Sequence, residues 1–359
     1  MNLNKKIQKN NRNSNIELLR ILCIINIILH HSFYHSDFSN VTLQNFNYLI
    51  LYLIEVLGTI SNDIFILITG YYVVNSKVKL RNIIKLVLES IFYSYAIMII
   101  YTIINGKVDA NIIINSLTPI MHNSNWFITC YILLYISIPF INILIQNLNK
   151  KQYSYMLFIA ITIFSILPSL GLLNQYYSSY IWFIIVYLIG AYIKKYDCKE
   201  LYLKNDLLFV FSSISLAIIL IVKKVWNVGL IINIDNNNFI MFILGLSIFV
   251  EFINRKIFYN KYINYISSSV LGIYLIHDNF IIRPIIWRKT NLKAYIDKPY
   301  FWLYEILIIL IIFSSCLIID KIRQICVEKP IFKIIDNIIL KKRKNKNILD
   351  NKEEWIWNY

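Results

Sequence analysis

Asn15-Ile-Glu-Leu-Leu-Arg20-Ile-Leu-Cys-Ile-Ile-Asn-Ile-Ile-Leu-His30-His31-Ser32 reads as one apolar helix with a cation near its start and two histidines near its far end. Arg20 and His31 stand eleven residues apart. At ~100° per residue that spacing leaves them only ~20° apart around the axis and ~16 Å apart along it. They share one stripe at two depths. Lipid tolerates neither group well, so such a stripe belongs against protein or a wet cavity. His30 is rotated ~100° from His31, so the two cannot point equally into one cavity. His31 is the better aligned with Arg20, and the stripe reads as one wall of an active site.

The surrounding chain is of the same material. Of 359 residues 58% are hydrophobic and 16% charged, more apolar side chain than a soluble domain of this size can hide. Apolar runs of roughly 20 residues recur along its length, which marks an all-α, polytopic transmembrane bundle. Ten spans are expected, at roughly 16–34, 47–74, 82–104, 126–146, 155–173, 179–194, 206–222, 238–253, 266–287 and 300–326. The second is long enough to tilt or to break near Gly58 and Asp63, and the ninth is interrupted by His277, Asp278 and Arg283. Tyr176, Tyr177, Tyr180 and Trp182 suggest an aromatic interface belt. The five cysteines show no metal-type pairing and read as small buried hydrophobes.

The net charge of +16 comes in short clusters beside apolar runs. That suits anionic lipid headgroups rather than nucleic acid. Basic residues crowd the even-numbered loops, while the first and fifth loops hold no Lys or Arg. The positive-inside rule then puts both termini in the cytoplasm. Two outer loops, with Lys223-Lys224 and with Arg288, Lys289, Lys293 and Lys298, go against the rule. Residues 1–14 form a basic cytoplasmic N-terminus and 15–326 the membrane domain. Residues 327–359 form an interfacial helix and a charged tail.

Inside the spans, His31 is a candidate general base because imidazole titrates near neutrality. Arg20 offers a planar fork of donors to phosphate or carboxylate, or else snorkels at a helix end. Asp63 lies at a depth comparable to His31; it either orients the imidazolium or pairs with Arg20. His277 falls in mid-membrane, with its neighbour Asp278 turned ~100° away. Lys79, Arg81 and Lys85 open the third span, where topology alone or a phosphate-rich ligand would call for them.

Taken together these stretches resemble the acyltransferase 3 family of integral-membrane acyltransferases. The likeness rests on Arg20 and His31 at the family's spacing and on Asp63-Ile-Phe-Ile-Leu-Ile-Thr-Gly-Tyr71, with Thr69 for the usual Ser. It extends to Asn125-Trp-Phe-Ile with Tyr131, Tyr135 and Pro139-Phe-Ile-Asn142, then to Tyr187-Leu-Ile-Gly-Ala-Tyr and Tyr274-Leu-Ile-His277. It covers about residues 15–325. Many relatives carry two arginines three apart before the third helix; here Arg81 is followed by Lys85 at four, which weakens that part of the likeness. The resemblance implies acetyl transfer from acetyl-CoA to a sugar hydroxyl of capsule, exopolysaccharide or O-antigen, as in bacterial O-acetyltransferases. Arg20, Lys79, Arg81 and Lys85 would meet the donor phosphates. His31, with Asp63 and His277, would do the chemistry, either as a base or as a transient acetyl carrier, and no metal is required. The expected partners are a polysaccharide or lipid-linked sugar and the membrane lipids. A carrier of such sugars without acyl chemistry would also want intramembrane charges and is the alternative.

Overall fold

The computed structural model describes residues 12–38, 41, 45–76, 78–120, 125–173, 178–226, 236–335 and 337. Among these, every regular element is helical. Residues 1–11, Tyr176, Tyr177 and the tail beyond 337 lie outside the described residues. The helices are α1 Ser14–Tyr34, α2 Phe46–Val73, α3 Leu80–Asn105, a short α4 Ala110–Leu117, α5 Trp126–Asn147 and α6 Lys150–Ser169. They continue with α7 Ser179–Tyr196, α8 Asn205–Trp226, α9 Phe239–Asn254, α10 Lys261–His277, α11 Ile282–Tyr295 and α12 Phe301–Ile335.

Each expected span corresponds to a helix or, for the ninth, to a bent pair. Among the described residues six helices (α1, α2, α3, α5, α6 and α12) are long and apolar enough to cross a membrane, and the pair α10–α11 makes a seventh if counted as one span. α9 is shorter, and so is the apolar stretch Asn205–Ile219 of α8.

Local chemistry explains where the helices bend. α2 runs unbroken past Gly58 and Asp63, so length is accommodated without a break. In α6, a π-helical turn at Thr162–Ile166 precedes Pro168. Proline cannot donate to the carbonyl four residues back. That carbonyl, on Phe164, accepts instead from the Asn237 side-chain amide at 2.8 Å. The ninth span folds by 84° between α10 and α11. Pro284 stands in the first turn of α11 and takes away a further donor, while the Asn279 side chain accepts from the Ile281 amide at 2.9 Å. The interfacial helix expected after residue 326 is continuous with α12, the boundary falling inside a π turn at Gln324–Glu328.

α1 lies between two hydrophobic clusters. Ile16, Leu19 and Cys23 join one with α2, α5, α6, α7 and α9. Ile21, Ile24, Ile27, Ile28 and Phe33 join the other with α3, α10, α11 and α12. Membrane helices gain little from expelling water from one another, so close backbone approach decides their packing. α2 and α7 cross through a pair of glycines: a Cβ on Gly70 would sit 2.2 Å from the Tyr187 carbonyl oxygen, and one on Gly190 would sit 2.4 Å from that of Leu67. Trp182, expected in an interface belt, is instead 1% exposed in the core of this crossing.

The start of α1 is anchored by polar contacts. Ser14 donates to Asn264 at 2.9 Å, and Asn15 donates to the Lys256 carbonyl at 2.9 Å. Glu17 accepts from the Ser267 hydroxyl. These contacts gather Arg12, Arg20 and the 256–267 segment at one end of the bundle. The histidines lie toward the other.

Candidate active site

Helical geometry sends the two adjacent histidines different ways. His30 turns to α2, where its Nδ1 donates to the Glu55 carbonyl at 2.8 Å and its ring fills the space that a side chain on Gly58 would take. His31 turns to α10. Its Nδ1 lies 3.0 Å from Nε2 of His277. The second nitrogen of His277, Nδ1, is 2.7 Å from the Ile273 carbonyl. A carbonyl only accepts, so His277 carries its hydrogen on Nδ1 and presents a lone pair at Nε2. His31 must then donate from Nδ1, which leaves its own Nε2 with a free lone pair. That is the tautomer a general base needs.

Asp278 completes the cluster. Its Oδ1 is 3.6 Å from His31 Nδ1, 3.7 Å from His35 Nε2 and 3.3 Å from the Arg283 guanidinium. The Asp278 and His31 side chains are 5% and 12% exposed, so this charge acts with little screening by water. His31, His35 and Asp278 each bring a ligand-type atom within 4.8 Å of the others and are the group among the described residues that can hold a metal ion. On the far flank, Ser32 donates to Glu305 at 2.5 Å.

Asp63 does not join this cluster. It accepts from the Trp182 indole at 2.9 Å and is 1% exposed between α2 and α7. Neither its depth nor its direction matches His31: α1 and α2 set His30 against Glu55 and Gly58 and Asn26 against Leu57 and Ser61, so Asp63 lies about two helical turns from the level of His31, and Asp278 holds the place expected of it. Nor does Asp63 pair with Arg20, whose partner is Glu17 at 3.8 Å on the same helix.

A cavity of about 280 Å³ leads toward the histidines from the other end of α1. Arg12, Arg20, Lys85, Glu89, Ser267 and Ser268 line it, together with Ile24, Ile27, Phe65, Phe127 and Tyr274. The Arg20 and Lys85 side chains are 35% and 44% exposed, so they mark its open end. The buried Ile27 and Tyr274 mark its deep end. Arg20, Ile24, Ile27 and His31 succeed one another on the same stripe of α1, and the lining stops one helical turn short of His31.

The other expected cations divide. Lys85 lines the cavity and also pairs with Glu328 at 2.6 Å. Arg81 stands over the Phe332 ring at 4.8 Å on the α12 extension, and Lys79 is the exposed N-cap of α3. Neither lines the cavity. Beside it runs a buried charge network. Arg323 pairs with Glu89, Asp320 and Glu328, each at 2.9 Å. Tyr93 donates to Asp320 at 2.7 Å. Asp320, Lys321 and Arg323 fall inside an apolar span, a pattern that itself marks a buried polar site.

A helical membrane protein with a paired imidazole one helical turn beyond the deep end of a cation-mouthed cavity is the class these features define. The family model described as acyltransferase domain matches residues 13–320, and the chain belongs to that acyltransferase 3 family. It is a multi-pass membrane protein of a family of acyltransferases. Neither the comparison with curated proteins nor that with solved structures finds a match.

Proposed function

We propose that the protein is an O-acetyltransferase of the bacterial cell membrane. It moves an acetyl group from cytoplasmic acetyl-CoA to a hydroxyl of a cell-envelope sugar in capsule, exopolysaccharide or O-antigen. In this reading all ten spans cross, both termini are cytoplasmic, and the Arg20 end of the cavity faces the cell interior. The observation that carries it is the His31–His277 pair at 3.0 Å, aligned on one stripe with a cavity whose open end holds Arg12, Arg20 and Lys85.

Donor phosphates suit that mouth, because guanidinium and ammonium groups make charge-assisted hydrogen bonds to them. The pantetheine arm suits the apolar lining beyond. At the deep end, His31 Nε2 takes the proton of the sugar hydroxyl as its oxygen bonds to the thioester carbonyl carbon. His277 keeps the ring in the required tautomer, and Asp278 stabilises the imidazolium. When the C–S bond breaks, the proton on His31 passes to sulfur and coenzyme A leaves as the thiol.

The test is NMR of the envelope polysaccharide from a deletion strain carrying intact protein or His31→Ala. Acetyl signals should vanish on deletion, return with intact protein and stay absent with the variant. Acetylation that persists in the deletion strain would refute the reading, and rescue by the variant would refute the role of His31.

A further inference from the structure

Two imidazoles and a carboxylate converge where α1 and α10 end. His31 and His35 are four residues apart and share a face of α1, with ring centroids 5.2 Å apart. Asp278 Oδ1 lies 3.6 Å from His31 Nδ1 and 3.7 Å from His35 Nε2. Zn²⁺ binds imidazole nitrogen and carboxylate oxygen at about 2.0–2.2 Å in tetrahedral geometry, which sets its ligand atoms about 3.3–3.6 Å apart. The observed distances stand at the upper edge of that range, so a slight closure of the rings suffices to hold the ion.

The groups behind these ligands are arranged as a metal site requires. His277 offers a fourth lone pair: its Nε2 is 3.0 Å from His31 Nδ1, while its Nδ1–H is held by the Ile273 carbonyl at 2.7 Å. A ligating histidine is fixed through its other ring nitrogen in this way. The Tyr274 hydroxyl hydrogen-bonds the Asp278 carboxylate and steadies it, as outer groups do for ligand carboxylates. The His35 side chain is 19% exposed and gives the ion a way in from the far end of α1. Three imidazoles and one carboxylate favour a borderline transition ion such as Zn²⁺ over Mg²⁺ or Ca²⁺, which take oxygen ligands. Arg283, 3.3 Å from Asp278, is the group that opposes a dication; its side chain is 32% exposed and can turn to water.

We infer that this cluster is an inhibitory Zn²⁺ site, in which the ion takes lone pairs of His31 Nδ1, His35 Nε2, His277 Nε2 and the Asp278 carboxylate. The site stands on its own geometry; its effect on transfer rests on the acyl-transfer reading above. Metal on His31 Nδ1 displaces the hydrogen there, which moves to Nε2 and leaves the ring neutral. Nε2 is the nitrogen that takes the proton of the sugar hydroxyl, and a nitrogen already carrying hydrogen has no lone pair for it. Zn²⁺ and catalysis therefore exclude each other at one imidazole.

The test begins with calorimetric titration of ZnCl₂ into tag-free, EDTA-stripped protein in lipid nanodiscs, where one Zn²⁺ per chain should bind. Outer groups alone are worth about 10- to 100-fold in metal affinity, so His35→Ala, which removes a ligand, should raise the Kd at least about tenfold. Arg283→Gln should lower it, because the opposing cation is gone. The same protein is then given radiolabelled acetyl-CoA and alkali-de-O-acetylated envelope polysaccharide from the deletion strain. Saturating Zn²⁺ should slow transfer about 100-fold or more, the worth of the general base. Half-inhibition should fall where binding is half-saturated, EDTA should restore the rate, and MgCl₂ should leave it unchanged. Folded wild-type protein that shows no saturable binding overturns the inference, and so does an unchanged Kd in folded His35→Ala. Zn²⁺ that binds while transfer continues overturns the inhibitory role. Protein that transfers nothing when metal-free sinks the acyl-transfer reading and the inhibitory role with it, while calorimetry still decides the site.

Discussion

Replacing Asp278 by asparagine removes one charge from the histidine cluster with little change in shape. At an effective dielectric of about 20, two unit charges at the observed 3.6 Å interact by about 5 kcal/mol. Asp278 also faces Arg283 at 3.3 Å and His35 at 3.7 Å, so His31 receives only part of its field. Taking about half, the imidazolium formed in the transition state loses about 2–3 kcal/mol, which slows the chemical step about 30- to 150-fold. The interaction strengthens only as His31 gains its proton, so the loss belongs in kcat and not in binding of the donor. Steady-state transfer of radiolabelled acetyl by purified protein in nanodiscs reads both. Asp278→Asn should lower kcat by about that factor with the donor KM within about threefold, and Asp63→Asn should not. An Asp278→Asn protein that keeps more than a third of wild-type kcat would refute the reasoning. Equal losses for folded Asp63→Asn and Asp278→Asn proteins would do the same.

Arg20→Ala should raise the KM for acetyl-CoA about tenfold, the loss of roughly 1.4 kcal/mol, and leave the acceptor KM unmoved; initial rates at varied donor and acceptor check it. Gly190→Ala should lower stability by about 1–3 kcal/mol, because the new Cβ meets a backbone oxygen of α2 that cannot step aside; thermal unfolding in detergent measures it. Arg323→Ala strands Glu89 and Asp320 without their cation and should cost about 3–5 kcal/mol. Adding Glu89→Gln should recover part of that loss in a double-mutant cycle, whereas strict additivity would count against the network.

What the sequence made legible followed from single helices. The Arg20–His31 stripe and the divergence of His30 depend only on the rotation of one continuous helix, and the structure keeps that helix whole. Depth alone gave no direction across the bundle. A residue count puts Asp63 level with His31, yet the pairing of α1 with α2 sets it beyond the Asn26–Ser61 contact, and α2 turns it to Trp182 on α7. A continuous helix points Asp278 away from His277. The chain instead leaves the helix at that residue, where Asp278 is the cap with φ −96° and ψ 10°, and this brings its carboxylate onto His31. Asn279 and Pro284, both poor helix formers, were the available signal. The Arg323 network joins residues more than 200 positions apart, and only the cluster of charges at 320–323 within an apolar run hinted at it.

The role of His31 meets its most direct trial in a single-turnover experiment, with enzyme in excess over radiolabelled acetyl-CoA and saturating de-O-acetylated polysaccharide. General-base catalysis by a positioned imidazole is worth about 10²–10⁴ in rate. His31→Ala should therefore bind the donor as wild type does and transfer its acetyl group at least a hundredfold more slowly. Transfer by that variant at the wild-type rate would contradict the assignment outright.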